Sequence, residues 1–223
     1  MNRTKLCDRV LPDYTPAEEM TNMLTHIIGG VMGVAALVLC VCKAGRSGSA
    51  MDIVTVCVFG AAMVCLYAMS SVYHGLKPSM GKKVMQVLDH CTIYLLIAGT
   101  YTPIMLGPMR EAYPAIGWGL FGAEWLLAAT AATLTAIDLK KYRIFSMLCY
   151  IGMGWGIVFF LPQAWEVLTA PGFWLVFAGG IAYTIGAVLY GIGGKRRWFH
   201  SVFHVFVVLG SLFHALAIFF YVL

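Results

Sequence analysis

Two histidines near the end of the chain, His200 and His204, have the spacing of a metal-binding pair. Residues four apart lie on the same face of a helix with their Cβ atoms about 5–6 Å apart, so both imidazoles can reach one ion. The segment that carries them, 199–223, is predominantly apolar. Hydrocarbon makes ionisable side chains costly, and those that remain in apolar segments usually mark a site. The pair therefore predicts a metal site at the start of a membrane-spanning helix.

The composition of the whole chain indicates an integral membrane protein. Of its 223 residues, 61% are hydrophobic and 11% are charged. Soluble domains carry about 25% charged residues and cannot bury this much apolar surface in one core, whereas a bilayer accepts it. The first 20 residues lack the apolar stretch of a secretory signal, so we expect the first apolar segment to remain in the mature chain. The seven cysteines form no C-x-x-C pair, and we expect small apolar packing residues rather than a disulfide framework or thiolate site.

Seven apolar segments have about the 20 residues that a spanning helix needs. Thr15-Pro16-Ala17-Glu18 combines an N-cap Thr, a Pro at the first helical position and a Glu at N3, which predicts that the first helix begins near Pro16. We therefore expect an all-α membrane protein, a seven-transmembrane helix bundle in a single domain, 21–223, after a cytoplasmic N-terminal segment, 1–20. The predicted spans are 21–42, 51–74, 84–106, 112–136, 143–162, 172–193 and 199–222.

The Lys and Arg residues predict the orientation of the bundle, because cytoplasmic loops carry an excess of them. Twelve of the 15 lie on the side of the N-terminus, and three lie on the other side. The twelve are Arg3, Lys5, Arg9, Lys77, Lys82, Lys83, Lys140, Lys141, Arg143, Lys195, Arg196 and Arg197; the three are Lys43, Arg46 and Arg110. The N-terminus is therefore expected in the cytoplasm and the C-terminus outside. The net charge of +5 is then a topology signal and does not indicate a nucleic-acid partner.

With this topology, further polar residues gather at the depth of the histidine pair. His74 ends the second helix, and Ser70 lies one turn earlier on the same face. Asp89 and His90 open the third helix at the cytoplasmic end. On the first helix, i, i+3, i+7 spacing puts three polar residues on one face: Glu19, Asn22 and His26. His214 lies about 15 Å deeper than His204, and we expect it to pack against a neighbouring helix.

The best candidate ligand set is His74, His200 and His204. Three neutral imidazoles around Zn²⁺ leave a fourth tetrahedral position for water, as in catalytic zinc sites, and the metal lowers the pKa of such a water to about 7. Asp89 would lie beside the ion, placed to orient that water or take its proton. Ser70 would hydrogen-bond the water or the developing oxyanion. The alternative is that these histidines only pack the helices together.

Five motifs extend this pattern along the chain: Glu19-x-x-Asn22-x-x-Thr25-His26, Ser70-x-x-x-His74, Asp89, Gly99-Thr100-Tyr101-Thr102-Pro103 and His200-x-x-x-His204. Together they resemble the hemolysin III family, the bacterial branch of the progestin and adiponectin receptor superfamily. The resemblance implies a multi-pass protein of the bacterial cytoplasmic membrane with zinc near the inner surface. It also implies ligands at His74, His200 and His204, with Ser70 and Asp89 at the water. A wider set that resembles alkaline ceramidases implies metal-assisted hydrolysis of a lipid amide.

Three hypotheses about function follow. The leading one is a zinc-dependent hydrolase of a ceramide-like membrane lipid that enters sideways between helices. The second is a non-enzymatic sensor or regulator of membrane state, in which zinc joins the second and seventh helices. The third is a transporter or pore that uses the polar cavity and Glu124, an ionisable residue in the middle of the fourth helix. Cytolysis enters only through the family name. We expect membrane lipids as partners and no nucleic acid, and homo-oligomerisation stays open.

Overall fold

The computed structural model describes residues 3–193 and 196–223, so Lys195, one of the residues used for the orientation, lies outside the described residues. Within these ranges the chain folds into seven main helices and contains no strand, which confirms the all-α prediction. The helices are α1 (Pro16–Ser47), α2 (Ala50–Gly75), α3 (Met80–Ile104), α4 (Pro114–Ile137), α5 (Arg143–Gly154), α6 (Leu161–Ile192) and α7 (Phe199–Ala217). Short helical turns fill Leu6–Asp8, Met105–Met109, Arg110–Ala112, Gly156–Phe160 and Ile218–Val222.

Six helical runs in the described part of the chain are long and apolar enough to cross a membrane. They are Pro16–Ser47, Ala50–Gly75, Met80–Ala112, Pro114–Ile137, Arg143–Ile192 and Phe199–Val222. Large apolar side chains such as Val31, Leu126 and Phe159 are exposed on their outer faces, as a lipid-facing surface requires. The chain is therefore a multi-pass helical membrane protein.

The fifth run, of 50 residues, joins α5 and α6 and is not a regular helix. Its backbone breaks inside α6 at Thr169, where φ is 57° and ψ is 165°, two residues before Pro171. Proline lacks an N–H and its ring clashes with the preceding turn, so a regular helix cannot continue through this point. Pro162, the last residue of the predicted span 143–162, instead lies in the first turn of α6, where a missing N–H costs nothing.

The start of α1 has the capping box that the sequence predicts. The Glu18 amide donates to Thr15 Oγ1 at 3.2 Å, and Glu18 Oε2 accepts from the Thr15 amide at 2.8 Å. The other carboxylate oxygen of Glu18 accepts from the amide of Trp198 at 2.7 Å. Because Trp198 immediately precedes α7, this contact fixes the starts of α1 and α7 beside each other.

Deeper in the bundle, tyrosine hydroxyls join the helices. Tyr67 of α2 and Tyr183 of α6 both bond to Ser211 Oγ of α7, at 2.7 Å and 2.6 Å. His214 of α7 donates from Nε2 to the Val176 carbonyl of α6 at 3.0 Å, which confirms the helix-packing role expected for it. These polar contacts hold α7 against α2 and α6. All seven cysteines are free thiols.

The N-terminal segment is bonded to the connection between α4 and α5. Asp138, which follows α4, accepts from the Thr4 amide at 2.7 Å and the Lys141 amide at 3.1 Å. The hydrogen bond from Thr4 is the main cause that lowers the pKa of Asp138 below its ordinary value. Arg3 Nε also donates to the Ile137 carbonyl at 2.9 Å. The segment before α1 is therefore bonded to the end of α4 and the residue that follows it.

Candidate metal centre

Three imidazoles from two helices meet at one point. His74 lies in the last turn of α2, while His200 and His204 lie in the first two turns of α7. One ring nitrogen from each of the three lies within 4.8 Å of the others. His200 Nε2 is 3.4 Å from His74 Nε2 and 3.0 Å from His204 Nε2. The structure thus brings together the three residues that the sequence singled out as ligands.

The other ring nitrogens of His74 and His204 face hydrogen-bond acceptors. His74 Nδ1 lies 2.6 Å from Glu19 Oε2, and His204 Nδ1 lies 3.2 Å from the backbone carbonyl of Asn22. A carboxylate and a carbonyl only accept, so we assign the proton of each ring to Nδ1. Both Nε2 atoms then present lone pairs toward the centre of the cluster. This is how the outer contacts of metal-binding histidines fix tautomer and orientation.

His200 cannot satisfy this arrangement alone. With a proton on Nε2 it could donate to only one of the two neighbouring lone pairs, and its own Nδ1, buried and without a partner among the described residues, would lack a hydrogen bond. With the proton on Nδ1, three lone pairs point at one another. A divalent cation removes the conflict between the three lone pairs, because neutral imidazoles bind Zn²⁺ through a single nitrogen each, with the His200 proton then on Nδ1. The donor set therefore fits the metal that the resemblance implies.

Charged and polar neighbours hold the ring-orienting residues. Glu19 Oε1 accepts from Lys82 Nζ of α3 at 2.6 Å, and Lys82 also donates to the Leu76 carbonyl at 2.8 Å. Asn22 Oδ1 accepts from Ser201 Oγ at 2.6 Å, which ties α1 to α7 beside the two ligands of that helix. Sequence analysis treated Lys82 only as a topology signal and missed Ser201, although a hydroxyl between two candidate ligands was visible in the motif.

Tyr14 was also missed. Its ring stacks on that of His200, with centroids 4.9 Å apart and an interplanar angle of 20°. Burial raises the pKa of Tyr14 above its ordinary value, so the ring packs here as a neutral phenol. Tyr14 immediately precedes the capping box of α1, and no spacing in the sequence indicates its contact with His200.

A largely apolar cavity of about 1120 Å³, including the space at its mouth, adjoins the cluster. His200 and His204 form part of its wall, and Ser70, Asp89 and His26 line it as well. Ser70 is buried, and its hydroxyl has no hydrogen-bonding partner in the part of the chain described. The predicted catalytic pair, Ser70 and Asp89, thus lines the same cavity as two of the three candidate ligands, His200 and His204.

Asp89 and Glu124 differ in their surroundings. Asp89 Oδ2 is 3.5 Å from His90 Nδ1 at the cavity wall. Glu124, in the middle of α4, is buried, and its Oε2 bonds to nothing among residues 3–193 and 196–223. It is not one of the residues that line the cavity beside the histidines. Asp89 therefore shares the cavity with His200 and His204, whereas Glu124 does not line it.

The helices and the buried histidine cluster define the class: a multi-pass membrane protein with a candidate metal centre. The family model described as "Haemolysin-III related" matches residues 14–215. The chain belongs to that family, as its motifs predicted.

Individual relatives agree with this assignment. The chain is 37% identical over 206 residues to "Hemolysin-3" of Bacillus cereus, which covers 92% of each sequence. It is 35% identical over 208 residues to "Hemolysin-3 homolog" of Bacillus subtilis (strain 168), covering 93% of this chain and 96% of the relative. A more distant relative is the "Adiponectin receptor protein" of Drosophila melanogaster, 25% identical over 224 residues, 88% of this chain and 49% of the relative. The expected localisation, a multi-pass protein of the bacterial cell membrane, is confirmed.

Proposed function

We propose that the chain crosses the membrane seven times, with residues 1–20 in the cytoplasm, the membrane domain at 21–223 and the C-terminus outside. The break at Thr169 supports this proposal, because it divides the run Arg143–Ile192 into two parts of spanning length. The excess of Lys and Arg on one side supports the orientation. Cysteine labelling from each side of sealed vesicles tests it. Labels at positions 5 and 223 from the same side would contradict it.

We further propose that the protein is a zinc-dependent hydrolase of an amide bond in a neutral, ceramide-like membrane lipid. The observation that carries the proposal is the meeting of ring nitrogens from three histidines, two of which, His200 and His204, line an apolar cavity. Bound there, Zn²⁺ would supply a Lewis acid and a water of lowered pKa. The apolar side chains Leu66, Ile97 and Val207, which line the same cavity, would hold a lipid chain.

Side chains of the protein would then transfer the proton, stabilise the developing charge and orient the ligands. The Asp89 carboxylate would take the proton of the attacking water, as a general base does. The Ser70 hydroxyl, which has no partner among the described residues, would donate to the amide oxygen as negative charge develops on it. Glu19 and Asn22 would keep the ligand rings oriented, and the cavity wall would exclude bulk water.

The test is turnover of a panel of ceramide-like lipids by the purified, zinc-loaded protein in lipid nanodiscs. We expect hydrolysis by the wild type and its loss in His200→Ala and Asp89→Asn. His214→Gln is the matched control, because this histidine bonds to the Val176 carbonyl and is not in the ligand cluster. A wild type no faster than His200→Ala on every lipid of the panel would refute the enzymatic proposal.

A second candidate is a membrane-state sensor with a structural zinc. It is favoured by the contacts around the cluster, since a metal there would join α2 to α7, and α1 contacts the ligand rings through Glu19 and the Asn22 carbonyl. Cells that carry Asp89→Ala separate the two proposals. A normal phenotype together with a zinc-dependent melting temperature would support the sensor, whereas loss of function with unchanged zinc binding would support the hydrolase.

A further inference from the structure

His26 of α1 is a buried polar residue whose ring nitrogens form no hydrogen bond in the part of the chain that the structure describes. Its side chain is 3% exposed, and neither ring nitrogen has a hydrogen-bonding partner within the described residues. Buried polar groups are almost always hydrogen-bonded, because leaving one unsatisfied costs about 1–3 kcal/mol. Packing nevertheless fixes the ring: it stacks on His204 with centroids 3.6 Å apart and meets Tyr67 edge to face at 5.1 Å.

His26 does not belong to the three-histidine group. The nitrogens that converge on one point come from His74, His200 and His204. The ring of His26 instead lies nearly parallel to that of His204, at an interplanar angle of 13°. The unsatisfied nitrogens of His26 therefore require a partner other than this cluster.

The cavity wall shows where that partner would lie. His26 and Ser70 both line the cavity, and both are buried with free hydrogen-bonding capacity. The other histidines of the same wall face a neighbour through at least one nitrogen. His90 Nδ1 lies 2.8 Å from the Gln86 carbonyl and its Nε2 lies 3.4 Å from the Tyr190 hydroxyl. His200 and His214 each face a neighbour through Nε2 and leave Nδ1 without a partner among the described residues. Among the described residues of this wall, His26 is thus the histidine with both nitrogens unpartnered, and Ser70 adds an unpartnered hydroxyl beside it on the cavity lining.

The charge of the wall limits the chemistry of the occupant. A neutral imidazole offers one donor and one acceptor, and a serine hydroxyl offers both. Hydroxyl and secondary amide groups match this pattern. None of the described residues that line the cavity is Lys or Arg, while Asp89 contributes a carboxylate. At His26 and Ser70 a phosphate or ionised carboxylate would therefore find no Lys or Arg among the described lining residues, and the proposed Zn²⁺ at the three-histidine cluster would be the one cation in reach.

We infer that His26 and Ser70 form a hydrogen-bonding subsite for an uncharged hydroxyl or amide of the lipid in the cavity. The subsite selects neutral, hydroxylated lipids over phospholipids and ionised fatty acids. The inference rests on the proposed function for the identity of the occupant as a lipid, but it concerns binding and does not require turnover.

The test is equilibrium binding of two probes to the protein in nanodiscs. One is a fluorescent short-chain amide of a hydroxylated long-chain amine, and the other is the same amide without the hydroxyl groups. His26→Phe keeps the stacking ring and removes its nitrogens. We expect it to weaken binding of the hydroxylated probe about tenfold, or about 1.4 kcal/mol, and to change binding of the other probe by less than about threefold.

Two variants sharpen the comparison. His26→Gln retains a donor and an acceptor and should recover part of the selectivity. His90→Phe, at a histidine whose nitrogens are already bonded, should affect both probes equally. Equal losses for both probes in His26→Phe, with unchanged metal content and melting temperature, would overturn the inference. If His26→Phe does not fold, Ser70→Ala takes its place, and equal losses there would overturn it as well.

These outcomes are independent of the enzymatic proposal. Selective binding of the hydroxylated probe by a wild type that hydrolyses no lipid would refute the hydrolase proposal and support the subsite. Hydrolysis by the wild type, together with unchanged binding selectivity in His26→Phe and Ser70→Ala, would support the hydrolase and overturn the subsite.

Discussion

Replacing Glu19 by glutamine should weaken zinc binding about tenfold while the helices stay folded. Glu19 Oε2 is 2.6 Å from His74 Nδ1, and its other oxygen is 2.6 Å from Lys82 Nζ. A hydrogen bond to a charged group contributes about 1.5–3 kcal/mol and a neutral one about 0.5–1.5 kcal/mol. The change from carboxylate to amide should therefore cost about 1–1.5 kcal/mol, which is close to tenfold in affinity and within the range known for outer contacts of metal sites.

The assay is competition for zinc between the purified protein and a chromogenic chelator. Asp52→Asn is the matched control, because it removes a carboxylate from the first turn of α2, at the opposite end from His74. It should bind zinc as tightly as the wild type. An affinity of Glu19→Gln within twofold of the wild type, at equal melting temperature, would refute the claim that this carboxylate orients His74. An equal loss in Asp52→Asn would show that the effect is one of net charge.

Three further predictions concern contacts outside the three-histidine cluster. Gly29→Ala would place a Cβ 2.5 Å from the Tyr67 ring, so it should lower the free energy of unfolding by about 1–3 kcal/mol. Gly30→Ala is the control, because its Cβ would be 3.6 Å from Tyr67 and should change stability little. Equal melting temperatures of the two variants would contradict this packing. Asp138 has a lowered pKa, so its stabilisation is fully present above its unfolded-state pKa of about 3.9 and is lost as the pH falls through the lower folded-state pKa. Melting temperatures measured against pH should show Asp138→Asn destabilised at pH 7 and close to the wild type in acid, and a constant difference would disprove the linkage. Tyr14→Ala should speed zinc release to a chelator in stopped-flow measurements, and an unchanged rate would show that this ring does not cover the centre.

Local signals predicted local structure well. The capping box at Thr15 and Glu18 identified the start of α1, because the bonds that form it lie within four residues. The spacing of His200 and His204 likewise needed only the geometry of one helix. Assigning His74 to the same ligand set required the predicted membrane topology, because the orientation of the spans places residues that are far apart in the chain at a common depth.

Contacts that depend on helix rotation could not be predicted. Apolar residues surround a spanning helix on most sides, so hydropathy gives its length but does not show which face meets a given neighbour. Lys82 was for this reason read as a loop cation, whereas it is buried against Glu19. The stacking of Tyr14 on His200 depends on the path of the segment before α1, which no periodicity specifies. The free nitrogens of His26 appear only once every neighbour is in place.

The most direct test of the three-histidine centre is elemental analysis of the protein purified without added metal or chelator. We predict one Zn²⁺ per chain in the wild type and in His214→Gln, and none in His74→Ala, His200→Ala or His204→Ala. A folded wild-type protein without a divalent metal, or a His74→Ala chain with as much zinc as the wild type, would contradict the account.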